Sequence, residues 1–290
     1  MATLKFWGVR GSIPTPGPET VRYGGNTSCA ELRHNDKLFI LDAGSGLRVL
    51  GNDLLKTGSP ITAHIFISHM HWDHIQGIPF FTPAFIPNNH FTFYGSEPAG
   101  KDLLTVIADQ MDPTYFPIEM KDMGSTMEFK PLFEGTYKID GIKVEALYVN
   151  HPGNALGYKF HLNKKTLVYI SDNEPFLTAD NNDDPDQVLL GEDGNQKLIN
   201  FIHDADVLIH DAQYTQDEYE NKITWGHSPV EYTVDIAIKS GVKKLVLFHH
   251  DPLHNDDMID QMLQLARHHV QNNSSLIEII AASEGLTIDI

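Results

Sequence analysis

Only one of the 290 residues is cysteine, Cys29, so no disulfide can form within the chain and the fold must rest on its core. That usage fits a reducing compartment. No apolar run approaches the length of a membrane span, and Met1 to Trp7 lacks the basic flank and long apolar stretch of a secretory signal. A soluble cytoplasmic protein is expected, with no membrane partner. Clustered lysine and arginine are also missing: 21 basic residues stand against 39 acidic ones, a net charge of −18. Such a chain has no electrostatic footprint for a nucleic-acid backbone, so extended nucleic acid is not expected as a partner. A small anion is still admissible, because bound divalent cations reverse the local potential inside a cleft. With no internal repeat and no low-complexity linker, residues 1–290 are expected to form a single domain.

What the chain does have is a recurring unit, a short apolar run ending in His or Asp. It appears at Leu38 to Asp42, Ile65 to His69, Leu167 to Asp172, Val207 to Asp211 and Leu245 to His249. Runs without polar alternation read as strands buried on both faces, which calls for helices outside the sheets. Each strand would deliver its polar residue at its C-terminal end, gathering function along one edge. Helices are expected over Leu47 to Lys56, Lys101 to Met111 and Asp257 to Val270. Another should run to about Lys239, with Ser228 as N-cap, Pro229 at the first position and Glu231 closing a capping box. The acidic stretch from Leu177 to Asn195 reads as a surface loop.

The densest chemistry is His69-Met70-His71-Trp72-Asp73-His74, four potential metal ligands in six positions directly after an apolar run. On an extended segment His69 and His71 point to one side, while Asp73 and His74 sit where the chain turns and can face a second centre. The spacing suggests two adjacent metal ions. Imidazole and carboxylate donors suit zinc first, and also manganese or iron.

These motifs, with Asp42 upstream and His151, Asp172 and His249 downstream, resemble the metallo-beta-lactamase superfamily over nearly the whole chain. The resemblance implies an α/β fold, a four-layer αβ/βα sandwich of two similar halves, forming one catalytic domain. It implies that His69, His71 and His151 hold one divalent ion, that Asp73, His74 and His249 hold the other, and that Asp172 bridges them. Asp42 would support the site by hydrogen bonds. His250 is the rival of His249; His249 is preferred because it ends the apolar run and adjacent strand residues face opposite ways. A water shared by the two ions would act as the nucleophilic hydroxide.

Within the superfamily, class B beta-lactamases usually carry cysteine where Asp172 stands, and the flavodiiron oxidoreductases replace the histidine at position 71 by an acid. Neither departure is present here. His210-Asp211-Ala212 and Trp225-Gly226-His227-Ser228-Pro229 instead resemble the phosphodiesterase branch that includes ribonuclease Z, although Asp211 stands where that branch usually has glutamate. The resemblance implies that His227 contacts phosphate and protonates the leaving oxygen, while Asp211 orients it. Phe6 to Pro14 and Tyr23 to Cys29 resemble the opening of bacterial phosphodiesterases, several of which act on cyclic nucleotides. Arg10, Ser12, Asn26 and Thr27 are then candidates to bind phosphate or sugar, or else to satisfy glycine-rich turns. Trp72, Tyr115, Phe116 and Trp225 suit stacking on a base, with packing as the alternative, and Met111 to Pro117 is a candidate loop over the cleft.

The expected activity is hydrolysis of small phosphodiesters, cyclic nucleotides above all. The alternatives are a ribonuclease Z-like 3′-processing endonuclease, a lactone or thioester hydrolase, and a metal-binding sensor without catalysis. A homodimer is plausible from the resemblance alone.

Overall fold

The computed structural model describes residues 2–58, 60–98, 100–176 and 185–290, with residues 185–192 described by their backbone. In chain order the strands and helices are β1 (Ala2–Gly8), β2 (Cys29–His34), β3 (Lys37–Leu41), α1 (Gly46–Leu54), β4 (Thr62–Phe66), α2 (Trp72–Ile75), β5 (His90–Gly95), α3 (Leu103–Asp109) and β6 (Thr126–Pro131). There follow β7 (Gly135–Ile139), β8 (Ile142–Tyr148), β9 (Leu156–Leu162), β10 (Lys165–Ile170), α4 (Pro185–Ile202), β11 (Val207–Asp211), α5 (Gln216–Tyr219), α6 (Val230–Lys239), β12 (Lys244–Phe248), α7 (Asp256–Asn272), β13 (Glu278–Ala281) and β14 (Thr287–Asp289). Packing divides them into two compact units, residues 1–133 with 282–290, and residues 134–281.

Each unit is built on one seven-stranded sheet. In the first the order is β14-β1-β2-β3-β4-β5-β6, and in the second β13-β12-β11-β10-β9-β8-β7. Half of each sheet is an antiparallel meander and half is parallel: β3 to β6 run parallel in the first unit, and β10 to β13 in the second. Parallel neighbours end at the same edge of a sheet, where open α/β sheets hold their ligands. All five of the expected strands lie in these parallel halves.

Burial explains the apolar runs. Phe39, Ile40 and Leu41 are consecutive and fully covered, as are Leu208 and Ile209. In the first unit Ile40, Ile65 and Phe93 share a core with Leu47 and Leu50 of α1. In the second, Val168, Leu208 and Leu245 pack with Val230 and Val234 of α6 and Met262 and Ala266 of α7.

Two local expectations are corrected. Residues 177–184 lie outside the described residues, but the rest of the expected acidic loop is the start of α4. Leu198 and Ile202 are buried on its inner side. Gly191 and Gly194 had made this stretch read as a turn; a Cβ at Gly194 would stand 2.4 Å from the Phe176 ring, so glycine is there to let that ring lie against the helix. Ser228 does not cap α6. Pro229 occupies that place, and the Ser228 hydroxyl donates to the Asn173 carbonyl at 2.6 Å. The first helical N–H, of Val230, is taken by the Tyr214 carbonyl at 2.9 Å.

His210 shows how strand alternation separates two adjacent polar residues. It is wholly buried, its Nδ1–H donating to the Asp211 carbonyl at 2.7 Å, and desolvation pulls its pKa from 6.5 to about 4. A histidine buried neutral stabilises the fold fully above its unfolded value, and that stability is lost as pH falls from 6.5 towards about 4. His210→Gln should therefore flatten the acid limb of a denaturant-midpoint profile in that window, by on the order of 3 kcal/mol. An unchanged acid limb would mean that His210 is not what titrates.

Candidate metal centre

In the first unit, β3 and β4 end side by side and the chain turns at both ends. Asp42, just past β3, is fully buried and adopts a left-handed φ of 59°. Its Oδ1 accepts the Ser68 N–H at 2.7 Å, and its Oδ2 accepts the Ser68 hydroxyl at 2.9 Å and His74 Nδ1–H at 2.8 Å. With its proton on Asp42, the Ser68 oxygen is an acceptor for His69 Nδ1–H at 3.1 Å. His69 Nε2 faces His71 Nδ1 at 2.8 Å, and Asp73 Oδ2 stands 3.2 Å from His74 Nε2. Asp73 also accepts the backbone N–H of Ser12 at 2.7 Å.

The second unit repeats the arrangement at the ends of β10, β11 and β12. Asp172 Oδ1 lies 3.4 Å from His249 Nε2, and its Oδ2 lies 3.7 Å from His151 Nε2 and 3.8 Å from His227 Nδ1. His151 Nδ1–H donates to the Gly226 carbonyl at 2.7 Å, and His249 Nδ1–H donates to Gln213 Oε1 at 2.9 Å. Gly226 has φ 87° and a Cβ there would fall 2.4 Å from His151 Nδ1, so only glycine fits. His227 Nδ1–H donates to Asp211 Oδ2 at 2.8 Å, while the backbone N–H groups of Asn173 and Gln213 hold the two Asp211 oxygens at 3.2 and 3.0 Å. Burial, with the Asp172 carboxylate adding to it, pushes the Asp211 pKa well up, against the pull of His249.

These donors suit a divalent metal. Four histidines, His69, His74, His151 and His249, each spend Nδ1 on a protein oxygen and so present Nε2, the outer-shell pattern that orients imidazole ligands. Ligand atoms about 2.1 Å from a tetrahedral ion stand about 3.4 Å apart. The pairs formed by Asp73 with His74 and by Asp172 with His249 match that edge, at 3.2 and 3.4 Å. Within the second unit, His151, Asp172 and His227 bring ligand atoms within 4.8 Å of one another, as do Asp211, His227 and His249.

A pattern described as the Beta-lactamase superfamily domain matches residues 38–250, most of the chain and every one of these donors. The chain belongs to that superfamily. Ribonuclease Z of Methanosarcina acetivorans is 26% identical over an alignment covering 89% of this chain and 90% of the relative. Among solved structures, the metallo-beta-lactamase fold protein YhfI from Bacillus subtilis aligns with a TM-score of 0.69 at 17% identity, over 99% of this chain and 98% of that one. A diphosphatase from the PhnP family aligns at 0.65 with 18% identity, over 100% and 98%. These likenesses establish the fold, and the two sheets flanked by helices bear out the α/β class expected.

For this superfamily member the substrate contacts read from the N-terminal segment need correction. Arg10 is fully buried and its Nε–H donates to the Gly24 carbonyl at 2.8 Å. Thr27 is equally buried, its Oγ1 accepting the Ser45 N–H at 2.8 Å and Gln76 Nε2–H at 2.9 Å. Asn26 is spent on Glu284 and Ser45, at 3.1 and 3.0 Å. All three satisfy the turns that carry them, the alternative open at the sequence level. Ser12 is exposed, with a left-handed φ of 62°.

The aromatics divide differently from expectation. Phe116 packs on the first-unit core and meets Phe80 edge to face, whereas Tyr115, Trp72 and Trp225 are 82%, 77% and 61% exposed and are not core residues.

Sequence reasoning missed Ser68, Gln213 and Glu174, each adjoining a recognised motif. Gln213 is tied beyond His249 to Asp251 and to the Tyr214 hydroxyl, at 3.3 and 3.2 Å. Removing the oxygen that fixes a ligating imidazole costs about 10- to 100-fold in metal affinity. Gln213→Leu should show that loss in chelator competition, while Gln213→Glu, which keeps the acceptor, should show less. Equal affinity in all three proteins would remove Gln213 from the site.

Proposed function

We propose that the protein is a binuclear metal-dependent phosphodiesterase acting on small phosphodiesters, with cyclic nucleotides as its substrate class. The two strand-edge donor sets then serve one catalytic domain. On this reading His69, His71 and His151 would hold one divalent ion and Asp73, His74 and His249 the other, with Asp172 as a carboxylate ligand shared by both. When bound, such ions supply Lewis acidity and a nucleophilic water at neutral pH. Zinc is the first candidate, with manganese and iron also suited to the donors.

The observation that carries the phosphoryl reading is the buried pair of Asp211 and His227, 2.8 Å apart. Lactone or thioester hydrolysis and metal sensing need the ligands alone; this pair adds a proton donor. Asp211 holds His227 Nδ1–H and leaves Nε2–H for the oxygen of the departing sugar. As the attacking oxygen bonds to phosphorus, the bond from phosphorus to that sugar oxygen breaks. The proton from Nε2 then completes a nucleoside monophosphate.

Cleavage of an RNA 3′ extension is the second reading, favoured by relatives named Ribonuclease Z that align along most of the chain. Against it stands the net charge of −18, since such enzymes must dock a polyanion. A panel of cyclic mononucleotides, linear dinucleotides, a precursor RNA, a lactone and a thioester, each with zinc, manganese or iron, tests both. Turnover of cyclic mononucleotides above the rest supports the proposal. Turnover of only the lactone or thioester removes phosphodiester chemistry, and preference for the precursor RNA selects the second reading.

A further inference from the structure

Two residues beyond Asp172 lies Glu174, a buried carboxylate with no part in the scheme above. Its Oε1 accepts the Tyr219 hydroxyl at 2.9 Å and the Thr224 N–H at 2.6 Å, and its Oε2 accepts the Gly226 N–H at 3.0 Å. Its backbone is fastened in turn, Glu174 N–H donating to the Asn150 carbonyl at 2.8 Å and Asn150 Nδ2–H to the Glu174 carbonyl at 3.1 Å. One carboxylate therefore grips the chain on both sides of Trp225. The Trp225 N–H donates to the Lys222 carbonyl at 3.1 Å. Thr224 and Gly226 both have left-handed backbones, with φ of 76° and 87°.

This arrangement is costly. A β-branched residue at positive φ is a true outlier, and burying a carboxylate requires that its lone pairs be filled. What is held is an indole left 61% exposed, so core packing does not explain it. The residue after the gripped Gly226 is His227, and the Gly226 carbonyl fixes His151. The rigid loop thus carries an exposed aromatic face beside the proton donor and one metal ligand.

We propose that Trp225 is a preorganised stacking surface for a flat ring on the substrate, the base of a nucleotide, and that Glu174 is the positioning residue that holds it. The proposal deepens the phosphodiesterase reading and rests on it for the nature of the ligand. Every base has a π face, so such a surface selects for the presence of a base rather than its identity. Fixing the backbone on both sides of Trp225 beforehand leaves only the indole's own side-chain torsions to be ordered when the base docks.

The test compares a nucleoside 2′,3′-cyclic phosphate with the corresponding ribose cyclic phosphate that lacks the base, using the metal-loaded protein. The wild type should favour the base-bearing substrate by about tenfold or more in KM, from the energy of stacking one base. Trp225→Ala should bring that ratio close to one, and Trp225→Phe should keep most of it. Glu174→Gln should lower the ratio several-fold with the indole still present, since it replaces an acceptor facing the Gly226 N–H. An unchanged ratio in Trp225→Ala would overturn the proposal. Calorimetry with adenosine monophosphate and ribose 5-phosphate decides separately from turnover. Tighter binding of the nucleotide, lost in Trp225→Ala, supports the stacking surface even if no phosphodiester is cleaved; equal binding of the two by the wild type overturns it.

Discussion

Asp172→Ala is expected to abolish measurable turnover and to strip the protein of at least one of the two divalent ions proposed above. The reason lies in how many groups depend on one side chain. Its two oxygens stand 3.4 Å from His249 Nε2, 3.7 Å from His151 Nε2 and 3.8 Å from His227 Nδ1. Without it a cation would meet three buried neutral imidazoles with one carboxylate fewer to offset its charge. Lewis acidity worth several kcal/mol goes with the ion, and each 1.36 kcal/mol is tenfold, so the loss should exceed about 1,000-fold. Elemental analysis and kcat on one preparation check it, with Asp172→Asn separating charge from volume. Two ions and near-normal turnover in Asp172→Ala would exclude a bridging role.

His227→Ala should separate chemistry from metal binding. Its imidazole is held by Asp211, not by the outer-shell oxygens that serve the four metal-directed histidines. Its loss should lower kcat by about 10²- to 10⁴-fold, the usual worth of a positioned proton donor, while both ions stay bound. The dependence on leaving group is the sharper measure. A p-nitrophenolate departs without needing a proton, so His227→Ala should impair bis(p-nitrophenyl) phosphate much less than a diester of a sugar alcohol. Equal impairment of both would assign His227 to binding. Asp211→Asn should follow the same pattern more weakly, because the amide can still hold the ring through its oxygen.

The elements most legible in the sequence were those whose physics is local. Five apolar runs became five parallel strands because residues buried on both faces leave no polar alternation, as at Phe39 to Leu41. The positions of Asp42, Asp172, Asp211 and His249 followed, since each directly ends or closely follows a run. His71 was placed beside His69 by spacing alone. What failed depended on partners distant in the chain. Arg10 and Thr27 looked like ligand-binding residues until their hydrogen bonds to Gly24, Ser45 and Gln76 were seen. Gln213 and Glu174 gave no signal, because a positioning residue is defined by what it touches. Gly191 and Gly194 hid the start of α4, a helix that tertiary packing against Phe176 favours over intrinsic propensity.

Asp42 and His249 end β3 and β12 with left-handed backbones, at φ 59° and 60°. Glycine or asparagine would relax the backbone at both positions by roughly 1 kcal/mol each, but at position 42 glycine would leave the Ser68 N–H and His74 Nδ1–H buried without their acceptor. At position 249 the change would release a buried imidazole, so a library sorted only for soluble expression would enrich variants that had discarded that histidine. Directed evolution of this scaffold needs a selection for turnover in every round.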